Sequence, residues 1–230
     1  MPTMSRAENR AEQTSAILAR ARAQLADVGP AALSVRQIAR DVGMVSSAVY
    51  RYFPSRDELL TALIVEAYDE LGDAVQAADA GVRRRDDLAK RFLAVCNAIR
   101  DWARANPHEY ALLYGSPVPG YAAPDDTVSP AIRVSGAFLS LAQASEQAGD
   151  ELGAPTHAVT TKERKALDGI RPALESPVSD ERMVRWLMAW STVFGHVSLE
   201  LFGHMHRGIL DYDAHFAQVN GQLVADLGLA

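Results

Sequence analysis

Cysteine occurs once in the 230 residues, at Cys96, so no disulfide can close within the chain. No stretch approaches the roughly 18 uninterrupted apolar residues of a membrane span. The opening segment, Met1 to Gln13, is polar and lacks the apolar centre of a secretory signal. Alternating runs of β-branched residues are missing, which argues against a sheet. There is no Gly-x-Ser-x-Gly elbow, phosphate loop, dinucleotide fingerprint or His-Glu-x-x-His pair. These absences leave a cytoplasmic, all-α, non-enzymatic protein as the expectation, with no cofactor, metal or membrane partner. Nearly half the residues are apolar, enough for a substantial core.

Charge is unevenly spread. The formal net charge is −6, yet as far as Arg56 eight arginines stand against four acids, an excess of +4 that leaves −10 for the remainder. A basic head on an acidic body suits a DNA reader whose second part stays off the phosphates. Four excess charges could also arise by chance.

Helical periodicity runs throughout. Ile17, Leu18, Ala21, Leu25 and Val28 share a helix stripe that Gly29-Pro30 ends. Ser34-Val-Arg-Gln37 reads as a capping box: the hydroxyl accepts from the first turn and Gln37 reaches back to the Ser34 amide. A second short helix is expected over about 46–53, with another capping box at Ser55 to Glu58. A long helix with Leu59, Leu60, Leu63, Ile64, Ala67, Leu71 and Val75 inside follows. The Asp79 to Asp87 stretch looks like an inter-domain turn. The expected organisation is a DNA-binding head over 1–56, a connecting helix over 56–79 and a helical domain over 80–230. Within that domain, a helix from about Leu88 is ended by Asn106-Pro107, and a proline-punctuated loop spans Tyr114 to Pro124. Another helix covers about 129–147. Gly149 to Pro177 reads as a mobile polar loop with room for one short helix. The last two helices are expected from Ser179 to about His206 and over Asp211 to Leu227.

The strongest signal is Val35 to Tyr52. Two short helices cross steeply only where a small residue sits at the crossing and the turn bends sharply; Ala39 and Gly43 occupy those places. Ile38, Val42, Met44 and Val49 supply the core beneath. This is helix-turn-helix spacing.

Residues 35–60, VRQIARDVGMVSSAVYRYFPSRDELL, resemble the signature of the TetR family, above all from Tyr50 to Leu60. The resemblance implies a dimeric all-helical repressor whose larger helical-bundle domain binds a small-molecule inducer. Asn106-Pro107, the Tyr114 to Tyr121 loop and Trp190…Gly195-His196 resemble a C-terminal subfamily named for a Trp-His-Gly motif, although here the order is Gly-His. Matching positions give an expected DNA-contacting set of Ser34, Arg36, Val45, Ser46, Ser47, Ala48, Tyr50, Arg51, Tyr52 and Arg56. Within it, the helix from Ser46 lies in the major groove, where base edges are distinguishable. Arg36 suits guanine O6 and N7, or is an ordinary solvated arginine. Tyr50, Tyr52 and Arg56 match phosphate-binding positions. Val45 departs from the family, which often has a polar residue there.

The sensing end is less legible. Trp102, Tyr110, Tyr114, Phe138, Trp186, Trp190, Phe194 and His196 can line a mostly apolar pocket or simply fill a core. The helix around Met183 to Phe202 is apolar on more than one face. Its Val197 and Leu201, with Phe216, Val219 and Leu223 of the last helix, are expected at an isologous dimer interface. His196, His204 and His206 do not form a metal set on one helix: residues two apart point about 200° apart, and residues eight apart lie about 12 Å apart along the axis. Cys96 sits on an apolar stripe, a poor place for a nucleophile. Two other readings remain: a DNA binder whose second domain only dimerises, and a helical-bundle enzyme with a vestigial head.

Overall fold

A computed structural model describes residues 5–153 and 157–229. Among the described residues it contains ten α-helices and no strand: α1 (Arg6–Val28), α2 (Val35–Asp41), α3 (Ser46–Val49), α4 (Arg56–Gly81), α5 (Leu88–Ala105), α6 (Pro107–Tyr114), α7 (Val128–Ala148), α8 (Thr161–Ala166), α9 (Asp180–Leu201) and α10 (Tyr212–Asp226). Local chemistry explains most of the boundaries. Ser5 Oγ accepts from the Glu8 amide at 3.2 Å and Glu8 Oε2 accepts from the Ser5 amide at 2.7 Å, a complete capping box that starts α1 inside the polar opening segment. Gly29, at φ +73°, ends that helix.

The box expected at Ser34 is only half present. Its hydroxyl accepts from the Gln37 amide, but the Ser34 amide donates to Gln24 Oε1 of α1 at 2.6 Å. Gln37 is engaged on its own helix instead: its side-chain nitrogen donates to Asp41 Oδ1 at 2.7 Å and its side-chain oxygen accepts from Arg40. At Ser55 only the hydroxyl-to-Glu58 bond forms. Regular α3 stops at Val49; the Arg51 and Tyr52 amides bond three residues back, tightening the end. Asn106-Pro107, read as a stop, is also a start: Pro107 occupies the first turn of α6, where a missing N–H costs nothing. α9 ends before His204 and His206. The Gly203 amide reaches Glu200 and the His204 amide reaches Leu199, a Schellman closure with Gly203 at φ +77°.

Contacts divide the chain into two units. One holds the chain through Glu70 together with Asn106–Ala131; the other holds Leu71–Ala105 and the chain from Ile132 onward. The partition expected from sequence, with a head closing near residue 56, differs because α6 and the loop after it fold back onto α1. Leu112 joins the head core of Ile17, Ala21, Leu25, Ile38, Ala39, Val49, Leu59, Leu60 and Leu63, and Val118 and Tyr121 pack against it. The Tyr121 hydroxyl also meets Thr61 Oγ1 at 2.9 Å.

In the second unit α5 packs against α9 and α10, which pack on each other. Phe92 contacts Phe138 and Trp186 edge to face, with ring centroids 6.1 and 5.7 Å apart. The stretch read as a mobile loop carries α8 and two 3-10 turns, and Arg171 and Arg164 fasten it to Asp180 at 2.5 and 3.2 Å. Its Ala154–Thr156 lie outside the described residues.

Candidate nucleic-acid interface

The helix pair is held by the geometry its turn demands. Ala39 is fully buried where α2 passes α3. Gly43 adopts φ +71°, and the Gly43 and Met44 amides reach back to Arg40 and Ala39 at 3.1 and 2.8 Å, the same Schellman closure that ends α9. A side chain with a Cβ at position 43 would be strained by that φ. With Val49 pinned in the core, the leading end of α3 is left outside. Val45 is 69% exposed, Ser47 is exposed, and Ser46 and Ala48 are half-buried. Two hydroxyls and two small apolar groups at that edge can hydrogen-bond base edges or meet a thymine methyl. Tyr50 and Arg51 are exposed and Tyr52 is half-buried against the core. Ser34 is half-buried, its hydroxyl committed to the α2 cap.

The head's arginines fall into two groups. Arg20 bonds Asp41 at 2.6 Å and holds that carboxyl below the usual range. Arg22 meets Glu70, Glu66 and Glu109 at 2.7, 3.4 and 3.6 Å, joining α1 to α4 and α6; burial outweighs its partners at Glu66 and pushes that carboxyl up. Arg56 donates to the Pro30 and Ala31 carbonyls at 2.8 and 3.1 Å. It therefore braces the turn after α1, and the phosphate role expected for it competes with those bonds. In contrast, the side chains of Arg6, Arg36 and Arg51 are exposed and make no hydrogen bond or ion pair among the described residues. Arg10 lies between the groups, its guanidinium 5.1 Å from the Tyr52 ring centroid and 3.4 Å from the Arg51 carbonyl. Arg10 escaped sequence reasoning, although the Ser5-Arg-Ala-Glu8 spacing carried the signal that a helix starts early enough to bring it there.

The residues expected to form a pocket are divided between the two units. Tyr110 and Tyr114 belong to the first unit, where their rings lie tilted against each other, centroids 5.0 Å apart, with Tyr68 edge-on to Tyr114. Trp102, Phe138, Trp186, Trp190, Phe194 and His196 belong to the second. Trp186 is 1% exposed and its indole N–H has no hydrogen-bond partner among the described residues. Both ring nitrogens of His196 and Asn220 Oδ1 are buried and equally unpaired there. The nearest carboxylate to His196 is Glu200, at 3.9 Å, too far for a hydrogen bond. Desolvation, reinforced by His215, pushes the His196 pKa down and so favours the neutral ring. Cys96 is fully buried, and desolvation raises its thiol well above the ordinary range.

Two of the residues expected at a dimer interface point inward. Val197 and Phe216 are 0% and 1% exposed, and the Phe216 ring lies against His196 of α9 and beneath the Arg100 guanidinium of α5. Leu201, Val219 and Leu223 are half-buried. The outward stripe of α9 is Met188, Ser191, Thr192, Gly195, Leu199 and Phe202, and that of α10 is Ala214, Ala217, Gln218, Gly221, Gln222 and Ala225. No exposed residue of α9 is charged; on α10 the exposed Asp213 and Asp226 flank the stripe at its two ends.

Comparison with known proteins agrees with this geometry. Residues 17–63 match the family model described as bacterial regulatory proteins, tetR family, and residues 92–223 match that of the tetracyclin repressor-like C-terminal domain. The HTH-type transcriptional regulators Rv1816 of Mycobacterium tuberculosis and Mb1846 of Mycobacterium bovis are each 44% identical over 188 residues, covering 79% of this chain and 77% of theirs. The solved structure of the regulatory protein SCO4313 aligns with a TM-score of 0.79 at 31% identity, over 96% of this chain and all of that one. A Rhodococcus sp. RHA1 protein of unknown function shares the fold, with a TM-score of 0.70 at 24% identity over 94% and 95% of the two chains. The matched C-terminal model carries the general family description, so the resemblance to the Trp-His-Gly type stays at that general level. The mycobacterial relatives are transcriptional regulators, not enzymes, and this chain belongs to the TetR family of DNA-binding transcriptional regulators.

Proposed function

We propose that the protein is a ligand-responsive repressor that binds a roughly palindromic operator as a homodimer and is released by a small, largely apolar effector. The observation that carries this reading is the outer face of α9, where no exposed residue is charged, beside the uncharged middle of α10 between Asp213 and Asp226. In a chain with 29 acidic and 23 basic side chains, two adjacent helix stripes built from Met188, Leu199, Phe202, glycines and alanines suit close helix–helix packing against an identical face. Two heads joined this way would enter successive major grooves, about 34–36 Å apart. Arg36, Ser46, Ser47 and Ala48 read base edges, with Tyr50 and Tyr52 on phosphates.

The unpaired Trp186 N–H and His196 nitrogens favour a sensing role for the second unit over dimerisation alone. Each buried polar group left unmatched costs about 1–3 kcal/mol, a deficit that a bound molecule can remove. The aromatic cluster of Phe92, Phe138 and Trp186 suits an apolar effector bearing one hydrogen-bond acceptor. Such a ligand needs only to favour a head spacing that misses the operator.

Sedimentation of the wild type and of Leu199→Arg tests the dimer, which the charge is expected to dissociate and with it operator binding. A thermal-shift screen of apolar carboxylates, esters and ketones tests the effector. Binders are expected to release the protein from its upstream DNA, and Trp186→Phe to weaken them. A Leu199→Arg protein that stays dimeric, or a screen in which every binder leaves the DNA complex intact, would overturn the respective half.

A further inference from the structure

We propose that the overhanging start of α1, residues 6–13, is a second DNA-backbone contact, with Arg6 and Arg10 as its phosphate-binding groups. It lies before the segment matched by the family's helix-turn-helix model, which begins at residue 17. Residues 6–12 are exposed throughout, so these two turns extend past the head core that begins at Ile17.

Helix phase determines which way the overhang faces. At 3.6 residues per turn, Arg6 and Arg10 lie about 40° apart, on the same stripe as buried Ile17 and Ala21. The face that grips α2 and α3 farther along thus continues outward as two guanidinium groups. Glu8 and Glu12 lie about 200° and 240° round from Arg6, and about 160° and 200° from Arg10, on the side turned away. The overhang is polarised, cationic towards the end of α3 and anionic behind it. Arg10's seat over the Tyr52 ring, with a hydrogen bond to the Arg51 carbonyl, fixes this direction in the structure. Arg6, one turn farther out, has no partner among the described residues.

The occupant that fits is the phosphodiester backbone. Arg51 is exposed beside this patch and Tyr50 just before it, so Arg6 and Arg10 prolong the surface of α3 rather than opening a new one. Two cations on consecutive turns, with the nearest carboxylates facing away, match a row of phosphates better than an acidic peptide, which would need apolar pockets between the charges. The inference rests on the reading above that Tyr50 and Tyr52 face DNA.

The test uses the full-length protein and a mixed-sequence duplex of about four helical turns, its affinity measured by fluorescence anisotropy across salt concentrations. Every phosphate that a variant no longer neutralises should reduce the slope of log K against log salt by about 0.9 per head. For the homodimer, with two heads on the duplex, Arg6→Gln is therefore expected to lower it by about 1.8 and Arg6→Gln with Arg10→Gln by about 3.6, while Glu12→Gln on the opposite side leaves it unchanged. Arg6 has no partner among the described residues, so its variant probes DNA without disturbing the fold. Thermal melts accompany both variants. If the double variant lowers the melting temperature and neither variant moves the slope, Arg10 is a brace and the proposal fails. If Tyr50→Phe weakens binding while the arginine variants bind as wild type, the overhang alone is refuted. Should Tyr50→Phe also bind as wild type, both it and the reading beneath it are refuted.

Discussion

The two units use the same side chain to opposite ends. In the second unit the buried arginines are consumed within the fold, while Arg83 and Arg207 are exposed and unpaired among the described residues. Arg100, 6% exposed, forms a two-pronged pair with Glu200 at 2.8 and 2.9 Å, adds Asp213 at 2.7 Å and lies over the Phe216 ring. Arg91 grips Asp79, and buried Arg182 gathers Glu146, Ser145 and the Asp150 carbonyl. In the head, Arg20, Arg22 and Arg56 do similar internal work, but Arg6, Arg36 and Arg51 face water, unpaired among the described residues. A desolvated charge is tolerable only when matched, whereas an exposed one stays available for a polyanion. Arginine count therefore says little about DNA binding; the availability of each guanidinium says much more.

The contrast can be broken most forcefully at Glu200. Glu200→Ala strands a buried guanidinium, so it is expected to destabilise the protein by about 3–5 kcal/mol in chemical denaturation, far more than any free head arginine would on removal. A loss below about 1 kcal/mol would show that Arg100 finds equivalent company in Asp213 alone.

Arg56 and Arg36 sharpen the comparison within the head. Arg56→Ala should lower stability by about 1.5–3 kcal/mol through its missing carbonyl bonds and leave the salt slope of DNA binding unchanged. Arg36→Ala should leave the melt unchanged and cost about 1–3 kcal/mol of discrimination at one base pair per half-site, read by selection from a randomised duplex pool. Swapped outcomes would reverse the two assignments.

The smallest effect concerns pH. His196 faces His215 from α10, Glu200 on its own helix and Arg100 from α5; burial is the largest influence and lowers its folded pKa below the ordinary value. Protons then bind the unfolded chain more readily. His196's contribution to stability is complete above about pH 6.5 and is lost as pH falls through that value towards the folded pKa. Denaturation midpoints should decline more steeply below about pH 6.5 in the wild type than in His196→Gln. Parallel declines would assign the effect to other groups.

Much of the fold was legible because its signals are local. The stripe from Ile17 to Leu25, the Ala39 and Gly43 pair, the Leu59 to Val75 stripe and the start of α10 depend on neighbours a turn away. Misreadings arose where two local rules compete or distant groups intervene. Pro107 can end one helix or begin another. Gln37 could reach back to Ser34 only until Gln24, ten residues earlier in the chain, took that amide. On α9 both faces are apolar, so periodicity could not say that Val197 turns inward and Leu199 outward.

The sequence by itself determined that a bent helix pair would form around Gly43, that its serine-bearing edge would lead, and that helices would build everything else. Those outcomes follow from spacing, caps and one residue able to adopt positive φ. Only the tertiary structure decided which arginines remain free, that α6 joins the head, and which stripe of α9 and α10 faces outward. These depend on long-range pairing of charges and on helix phase, since a carboxylate or a core that lies dozens of residues away leaves no mark on the local pattern.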